Sequence, residues 1–215
     1  MKENLLVSYS LVKNRGSLLE YRITKYPLEQ GALEIEYIEE FFGEYKRRKT
    51  ASEIVSRLEN RDHLILMAMA PLPDDPGMVV PASYKVAHEI RAEESIPKLA
   101  DLVTRLRDYV NFKDRRILYT WIGGTRRDWR GQGHFRALTE QQEAWAIENG
   151  FDEILVKTKN RFYEMRGTLD HLHFNVVKYE PHADNQESKV YLSKKLGQEV
   201  LDAHRSMRKV VTVEG

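Results

Sequence analysis

Residues Trp121–Lys159 read W-I-G-G-T-R-R-D-W-R-G-Q-G-H-F-R-A-L-T-E-Q-Q-E-A-W-A-I-E-N-G-F-D-E-I-L-V-K-T-K. The apolar run Ile117–Ile122, which leads into this stretch, predicts a strand. Apolar residues at helical spacing after Gly133 predict a helix, which a glycine at position 150 is placed to end. Ile154–Val156 predicts the next strand. The chain therefore contains a strand, a glycine-rich turn, a helix and a strand in direct succession.

The glycine-rich turn has a chemical use. The first four N–H groups of a helix have no partner within the helix, and they lie at the positive end of its dipole. Gly131 and Gly133 allow a backbone to approach an anion without a Cβ in the way. Arg130 adds a fixed positive charge. A pyrophosphate suits such a site, whereas a plain turn with two glycines is the alternative interpretation.

The segment Arg130–Phe135, R-G-Q-G-H-F, resembles the acetyl-CoA signature [Q/R]-x-x-G-x-[G/A] of the GNAT superfamily of N-acyltransferases. Arg130 and Gly133 match it, and Phe135 stands where a small residue is usual. Similar proteins also have an R-A-L helix, a G-F step into the next strand, and an Asn after that strand, here Asn160. The resemblance covers about residues 116–196.

The resemblance implies a fold, a cosubstrate and a set of binding residues. The fold would be a mixed, mostly antiparallel central sheet flanked by helices, with strands splayed at the acyl-CoA site. This agrees with the α/β or α+β class that alternating strands and helices predict. The cosubstrate would be acetyl-CoA, attacked directly by a small-molecule or protein amine. The implied cofactor-binding residues are Gly123, Thr125, Arg130, Gly131, Gln132, Gly133, His134, Phe135, Asn160 and Tyr163.

Proton transfer is where the sequence departs from similar enzymes. Many of them carry a tyrosine acid on the helix after Asn160, but the corresponding positions hold Leu169 or Gly167, depending on the direction of counting. Tyr163 is assigned to the wall of the cofactor groove instead. Tyr119 shares the strand parity of Gly123, and it is therefore a candidate base, with packing as the alternative. Glutamates 36 and 40 are further candidates.

Composition narrows the function classes. The 215 residues are 41% hydrophobic and 31% charged, as is typical of a soluble globular protein. A net charge of +1 argues against a dedicated nucleic-acid binder. No cysteine is present, which excludes disulfides and thiolate metal sites, and no metal is expected from the histidines near residue 171. No signal peptide or membrane-spanning run is recognised, so the cytoplasm is the expected location.

We expect a single domain, with acceptor-side elements over about 1–115, an acetyl-CoA-binding core over about 116–196 and an extension over 197–215. Thr50-Ala51-Ser52-Glu53 predicts a capping box, Asn160 is placed as a helix N-cap, and a helix is expected over 96–110. The roles of that helix and of the extension, the acceptor amine and homodimer formation are not fixed by the sequence.

Three functions are compatible with these patterns. The leading one is an acetyl-CoA-dependent N-acetyltransferase. A non-catalytic acyl-CoA-binding or regulatory module on the same fold is the second, because the expected tyrosine is missing. The third is a phosphate-binding interaction protein, since Arg126, Arg127 and Arg130 lie close together in the sequence.

Overall fold

The computed structural model describes residues 7–12, 18–28, 36–39, 49–72 and 74–209. The described strands are β1 (Val7–Val12), β2 (Leu18–Tyr26), β3 (His63–Pro71), β4 (Val79–Ile90), β5 (Ile117–Thr125), β6 (Glu153–Lys159), β7 (Asn175–Glu180) and β8 (Lys189–Lys195). The described helices are α1 (Ala51–Leu58), α2 (Pro97–Leu106), α3 (His134–Glu148), α4 (Tyr163–His171) and α5 (Gln198–Lys209).

The strands follow the order β1-β2-β3-β4-β5-β6-β8-β7. β1 to β4 pair antiparallel with their neighbours in sequence, as do β6 with β8 and β8 with β7. β5 and β6 pair in parallel. A parallel pair needs a crossover connection, and α3 supplies it. The predicted class, a mixed and mostly antiparallel sheet with helices, is confirmed.

Chain contacts divide the protein into two compact units. The first contains residues 1–88 and 122–138, and the second contains residues 89–121 and 139–215. β5 and α3 each pass from one unit to the other. The sequence boundary near residue 115 is not one of these division points, and the assignment of a single domain stays a prediction.

In the first unit, local signals fix the ends of elements. The Thr50 side chain caps α1 by accepting a bond from the Glu53 N–H, and the Glu53 carboxylate accepts a bond from the Thr50 N–H. The predicted capping box is confirmed. Glu39, on a helical segment over 36–39, accepts a bond from the Ala51 N–H at 2.8 Å. Pro81 lies within β4, where the β3–β4 register shifts opposite Met69. A proline cannot donate to the ladder, which is consistent with this irregularity.

In the second unit, α2 covers the core. Pro97 lies in the first turn of α2, and the helix ends at Leu106, so it is shorter than the predicted helix over 96–110. Its buried leucines pack with Ile117, Tyr119 and Tyr191 of the sheet. The helix therefore closes one face of β5, β6 and β8, and it fixes which side chains of those strands are internal.

The end of α3 is a Schellman-type turn. Gly150 has φ +72°, and the N–H of Phe151 bonds to the carbonyl of Ala146 at 2.9 Å. The predicted helix-ending glycine is confirmed. Phe151 and Trp145 then meet with ring centroids 5.7 Å apart, which is the hydrophobic contact that accompanies such turns.

Within the second unit, the helix α5 is attached to α3 and β8 through buried polar side chains. Glu143 of α3 is fully buried, and one of its carboxylate oxygens contacts Lys194 Nζ at 2.8 Å and His204 Nε2 at 2.7 Å. Lys194 and His204 are themselves more than nine-tenths buried. Within the described residues, no helix is long and apolar enough to cross a membrane.

We predict that Lys194→Met lowers the free energy of unfolding by about 3 kcal/mol, because it leaves the buried Glu143 carboxylate without its ammonium partner. Urea denaturation measures the change. Lys195→Met, at the exposed next position, is the control and should stay within about 0.5 kcal/mol of the unmodified protein. Glu143→Gln in the Lys194→Met background should recover part of the loss. Equal midpoints for Lys194→Met and the control would contradict the buried pair.

Candidate functional site

The turn between β5 and α3 has alternating backbone conformations. Gly131 has φ +73° and Gly133 has φ +81°, whereas Gln132 between them has no positive φ. Alternation of this kind turns successive N–H groups towards one point and forms an anion-binding concavity. Both positions therefore favour glycine, because most residues with a Cβ are strained at a positive φ.

The start of α3 adds donors to this concavity. Its first helical bond joins the Ala137 N–H to the Gly133 carbonyl at 3.0 Å, which makes Gly133 the N-cap residue. Glycine has no side chain that can accept a bond from the first turn. Gly133 therefore caps none of the N–H groups of that turn, which lies at the positive end of a helix of 15 residues. An anion with several oxygens fits such a site.

Side chains hold the loop in shape. Arg130 Nε donates to the Thr125 carbonyl at 3.2 Å, and Gln132 Nε2 donates to the Asp128 carbonyl at 3.2 Å. Trp129 is buried, and the Arg126 guanidinium lies 4.8 Å from the centroid of its ring. The basic loop is therefore an ordered structure anchored by an aromatic side chain. Arg130 has a structural contact in addition to its charge.

Phe135, which departs from the signature, has a specific partner. The Nζ of Lys85 on β4 lies 4.5 Å from the centroid of the Phe135 ring. Lys85 is only 2% exposed. A ring face stabilises a desolvated ammonium more strongly than an aliphatic group does. The larger residue at the last signature position is thus matched by a buried lysine on a neighbouring strand.

His134 is the first residue of α3, and its side chain is directed into the protein. Its ring packs against Tyr21 of β2 with centroids 4.3 Å apart. It is 2% exposed, and its Nδ1 has no hydrogen-bond partner among the described residues. Burial lowers the pKa of His134 to about 4, so the ring is neutral at pH 7.

Gly123 lies where β5 approaches β4 closely. A Cβ at this position would come within 3.0 Å of the Tyr84 carbonyl oxygen. Just beyond it, the Arg126 N–H bonds to the Ala82 carbonyl at 2.9 Å. The end of β5 is therefore held against β4, and its route into the glycine loop is fixed.

Of the remaining candidates, Tyr119, Asn160 and Tyr163 lie in the second unit, and Glu36 lies in the first. Tyr119 is 7% exposed and packs in the core beneath α2. Packing was the alternative to a role as base. Asn160 is 9% exposed, and its side-chain oxygen accepts a bond from Arg166. Tyr163 is 58% exposed at the start of α4. Glu36 is exposed on the 36–39 segment, and position 40 lies outside the described residues.

The prediction that Asn160 caps α4 is wrong. The helix begins at Tyr163, and Phe162 precedes it without a side-chain cap. The Asn160 side chain bonds forward to Arg166 instead, and its N–H bonds to the Ser188 carbonyl at 2.9 Å. Leu169 is fully buried, so this position of α4 is directed towards the core.

Sequence reasoning missed Lys85, Tyr21 and Trp129 as parts of the site's surroundings. Lys85 carries a usable signal, because a lysine in the middle of the apolar strand V-V-P-A-S-Y-K-V-A needs a reason to be there. Tyr21 and Trp129 are buried aromatics of an ordinary kind, and only tertiary structure associates them with the loop. Among the described residues, no group of three His, Asp or Glu side chains is arranged to hold a metal ion.

Solved structures of N-acetyltransferases have the same fold. NAA60 from Arabidopsis thaliana, in complex with acetyl-CoA, is 13% identical, with 80% of this chain and 98% of that chain covered and a TM-score of 0.59. The ribosomal-protein-S18-alanine N-acetyltransferase from Escherichia coli is 13% identical, with coverage of 81% and 94% and a TM-score of 0.53. The chain has the GNAT fold.

Ard1 from Thermoplasma volcanium extends the similarity. It is 9% identical, with 82% of this chain and 98% of that chain covered and a TM-score of 0.56. No protein-family model matches the sequence, and no curated protein matches it. At these identities the likeness establishes the fold alone.

We predict that His134 lowers the free energy of unfolding as the pH falls. Its folded pKa of about 4 lies below the ordinary value of 6.5. The unfolded chain therefore binds the proton first as the pH falls, and stability decreases between pH 6.5 and pH 4 by at most about 3 kcal/mol. His134→Phe keeps an aromatic ring against Tyr21 and removes this decrease.

Chemical denaturation at several pH values measures the effect. The difference in unfolding free energy between His134→Phe and the unmodified protein should grow in favour of the variant as the pH falls from 6.5 to 4. His182→Gln, at an exposed histidine, is the control and should show no such trend. A constant difference for His134→Phe would mean that the ring titrates normally.

Proposed function

We propose that this protein is an acetyl-CoA-dependent N-acetyltransferase that acts by direct attack of an amine on the thioester. The observation that carries the proposal is the pair of left-handed glycines, Gly131 and Gly133, immediately before α3 in a GNAT fold. These glycines and the first turn of α3 would hold the pyrophosphate. The NAA60 structure of the same fold holds acetyl-CoA.

The reaction needs little covalent chemistry from the protein. The neutral amine attacks the thioester carbonyl carbon, the C–S bond of the tetrahedral intermediate breaks, and an amide and the CoA thiolate result. The amine nitrogen loses one proton in the process. Main-chain donors near Gly123 and Thr125 would stabilise the oxyanion. Tyr119 stays a candidate base acting through water, and Asn160 and Tyr163 stay candidates for the cofactor groove.

A non-catalytic acyl-CoA-binding module is the second candidate. The fully buried Leu169 favours it, because no acid can act from that position. A CoA thiolate is nevertheless a tolerable leaving group, so catalysis without a side-chain acid is chemically reasonable. Release of free thiol from acetyl-CoA in the presence of an amine panel separates the two. Acetyl-CoA binding without amine-dependent thiol release would favour the module.

We predict that Gly133→Asp weakens acetyl-CoA binding by about 1–3 kcal/mol, since the new carboxylate would lie beside the pyrophosphate. Gly133→Asn is the matched control. Asparagine has nearly the same size as aspartate and tolerates the same left-handed conformation, but its side chain carries no charge. Calorimetry should show a much smaller loss for Gly133→Asn. Equal losses would assign the effect to backbone strain instead of charge.

Arg130 tests the charge of the loop. Arg130→Ala should weaken acetyl-CoA binding and leave a pantetheine fragment without pyrophosphate little affected. Arg130→Lys also removes the Nε bond to the Thr125 carbonyl but keeps the charge, so it should retain more of the affinity. If both variants lose affinity equally, and for both ligands, the side chain is structural.

The pH profile tests proton transfer. Without a tyrosine acid, no group of high pKa need stay protonated, and the turnover number should rise with pH as the amine or a base loses its proton. It should then reach a plateau. Tyr163→Phe should keep most of the turnover number, because Tyr163 is assigned to the groove wall. A bell-shaped profile whose alkaline limb vanishes in Tyr163→Phe, with a hundredfold loss of rate, would identify Tyr163 as the acid.

A further inference from the structure

The second unit contains a cleft of about 610 Å³, and every described residue that lines this cleft belongs to that unit. The lining comes from the segments that precede β5 and β7, from β6, β7 and β8, and from α5. None of the described residues that line it is among those proposed above to bind acetyl-CoA. Small-molecule pockets have volumes of about 300–1,000 Å³. The cleft is therefore large enough to take a ligand of its own.

Strand register places four polar side chains of the cleft on one face of the sheet. Lys195 lies opposite Glu153 in the β6–β8 ladder, and Asn175 lies opposite Ser193 in the β7–β8 ladder. Ser193 and Lys195 are two residues apart on β8, so their side chains and those of their partners share a face. All four residues line the cleft. Polar groups from three strands are thus presented to whatever occupies it.

Glu153 is a buried carboxylate with unused hydrogen-bonding capacity. Its side chain is 4% exposed. In the described part of the chain, the one hydrogen bond to this side chain comes from Arg115 NH1 and reaches Oε2 at 3.4 Å. A carboxylate can accept several such bonds, and a buried one is costly when few of them are made. A ligand with N–H donors would therefore stabilise Glu153.

Arg115 supplies the opposite charge at the same place. Its side chain is 36% exposed, and Glu153 is its one ion-pair partner among the described residues. The other guanidinium N–H groups are arranged in a fork that matches a carboxylate. Ser193 is 6% exposed, and its hydroxyl has no hydrogen-bond partner within the described ranges. The cleft therefore offers a cation, an anion and a neutral hydroxyl side by side.

The charges that line the cleft balance one another. Besides the paired Arg115 and Glu153, the exposed Lys195 and Glu199 contribute one charge of each sign. The ammonium of Lys194 is already bonded to a buried carboxylate of α3. A simple anion would lie close to the Glu153 carboxylate, and a simple cation would lie close to the Arg115 guanidinium, so each would meet repulsion. A ligand that carries both charges avoids this conflict.

We propose that the cleft binds a free amino acid. Its carboxylate is held by the remaining N–H groups of Arg115, and its ammonium donates to Glu153 Oε1 and to the Ser193 hydroxyl. The side-chain amide of Asn175, exposed and without a bond in the described part of the chain, is available to the same ligand. This site is separate from the proposed acetyltransferase reaction and does not depend on it.

Calorimetry on the full chain without acetyl-CoA tests the site, since no transfer can then occur. Each of the twenty standard amino acids is titrated. At least one should bind, and its N-acetyl derivative, which lacks the ammonium, should bind at least about tenfold more weakly. Its amide, which lacks the carboxylate, should be weakened similarly. Glu153→Gln and Arg115→Met should each raise Kd for the free amino acid at least about tenfold.

Matched variants separate the site from general effects of charge and folding. Glu148→Gln and Arg107→Met change exposed residues of the same unit and should bind as the unmodified protein does. Ser193→Ala is a small change that should fold even if the charge variants do not, and it should weaken binding several-fold. Urea denaturation checks the folding of each variant.

Three results would overturn the inference. The first is that no amino acid binds the unmodified protein. The second is that the N-acetyl derivative or the amide binds as tightly as the free amino acid, which would indicate a simple cation or anion site. The third is that binding is unchanged in every folded variant of Glu153, Arg115 and Ser193, which would place the amino acid elsewhere.

Discussion

The short parallel ladder between β5 and β6 is the constraint on which the site depends. Only four residue pairs join the two strands, and both strands continue past the last pair. Each strand is secured by its other neighbour. β6 pairs with β8 over its whole length, while the end of β5 is bonded to β4 through the Arg126 N–H. Beyond the four pairs, β6 is thus held by β8 and the end of β5 is held by β4, and neither strand relies on β5–β6 pairing there.

The glycine turn depends on that geometry and adds a second constraint. It begins where β5 ends, and it must deliver the chain into α3 with an N-cap residue that has no side chain. Two left-handed residues in three positions achieve this, and only glycine occupies such positions at no steric cost. The buried Trp129 and the backbone contacts of Arg130 and Gln132 then hold the loop in one conformation, so that an anion need not order it on binding.

Much of this arrangement can be predicted from the sequence, because the signals are local. The capping box at Thr50, the glycine at the end of α3 and the strand–turn–helix order each follow from a few adjacent residues, and all three are confirmed. The cap assigned to Asn160 is wrong because a longer-range contact with Arg166 competes for its side chain. The contact of Lys85 with Phe135 joins residues fifty positions apart, and no local pattern connects them.

The buried position of Leu169 bears on how the thiolate leaves. A helix residue directed into the core cannot be replaced by an acid without disturbing the packing around it, so the lack of a tyrosine there is built into the orientation of α4. In the proposed reaction, the CoA thiolate would therefore leave without a dedicated side-chain acid and take its proton from water.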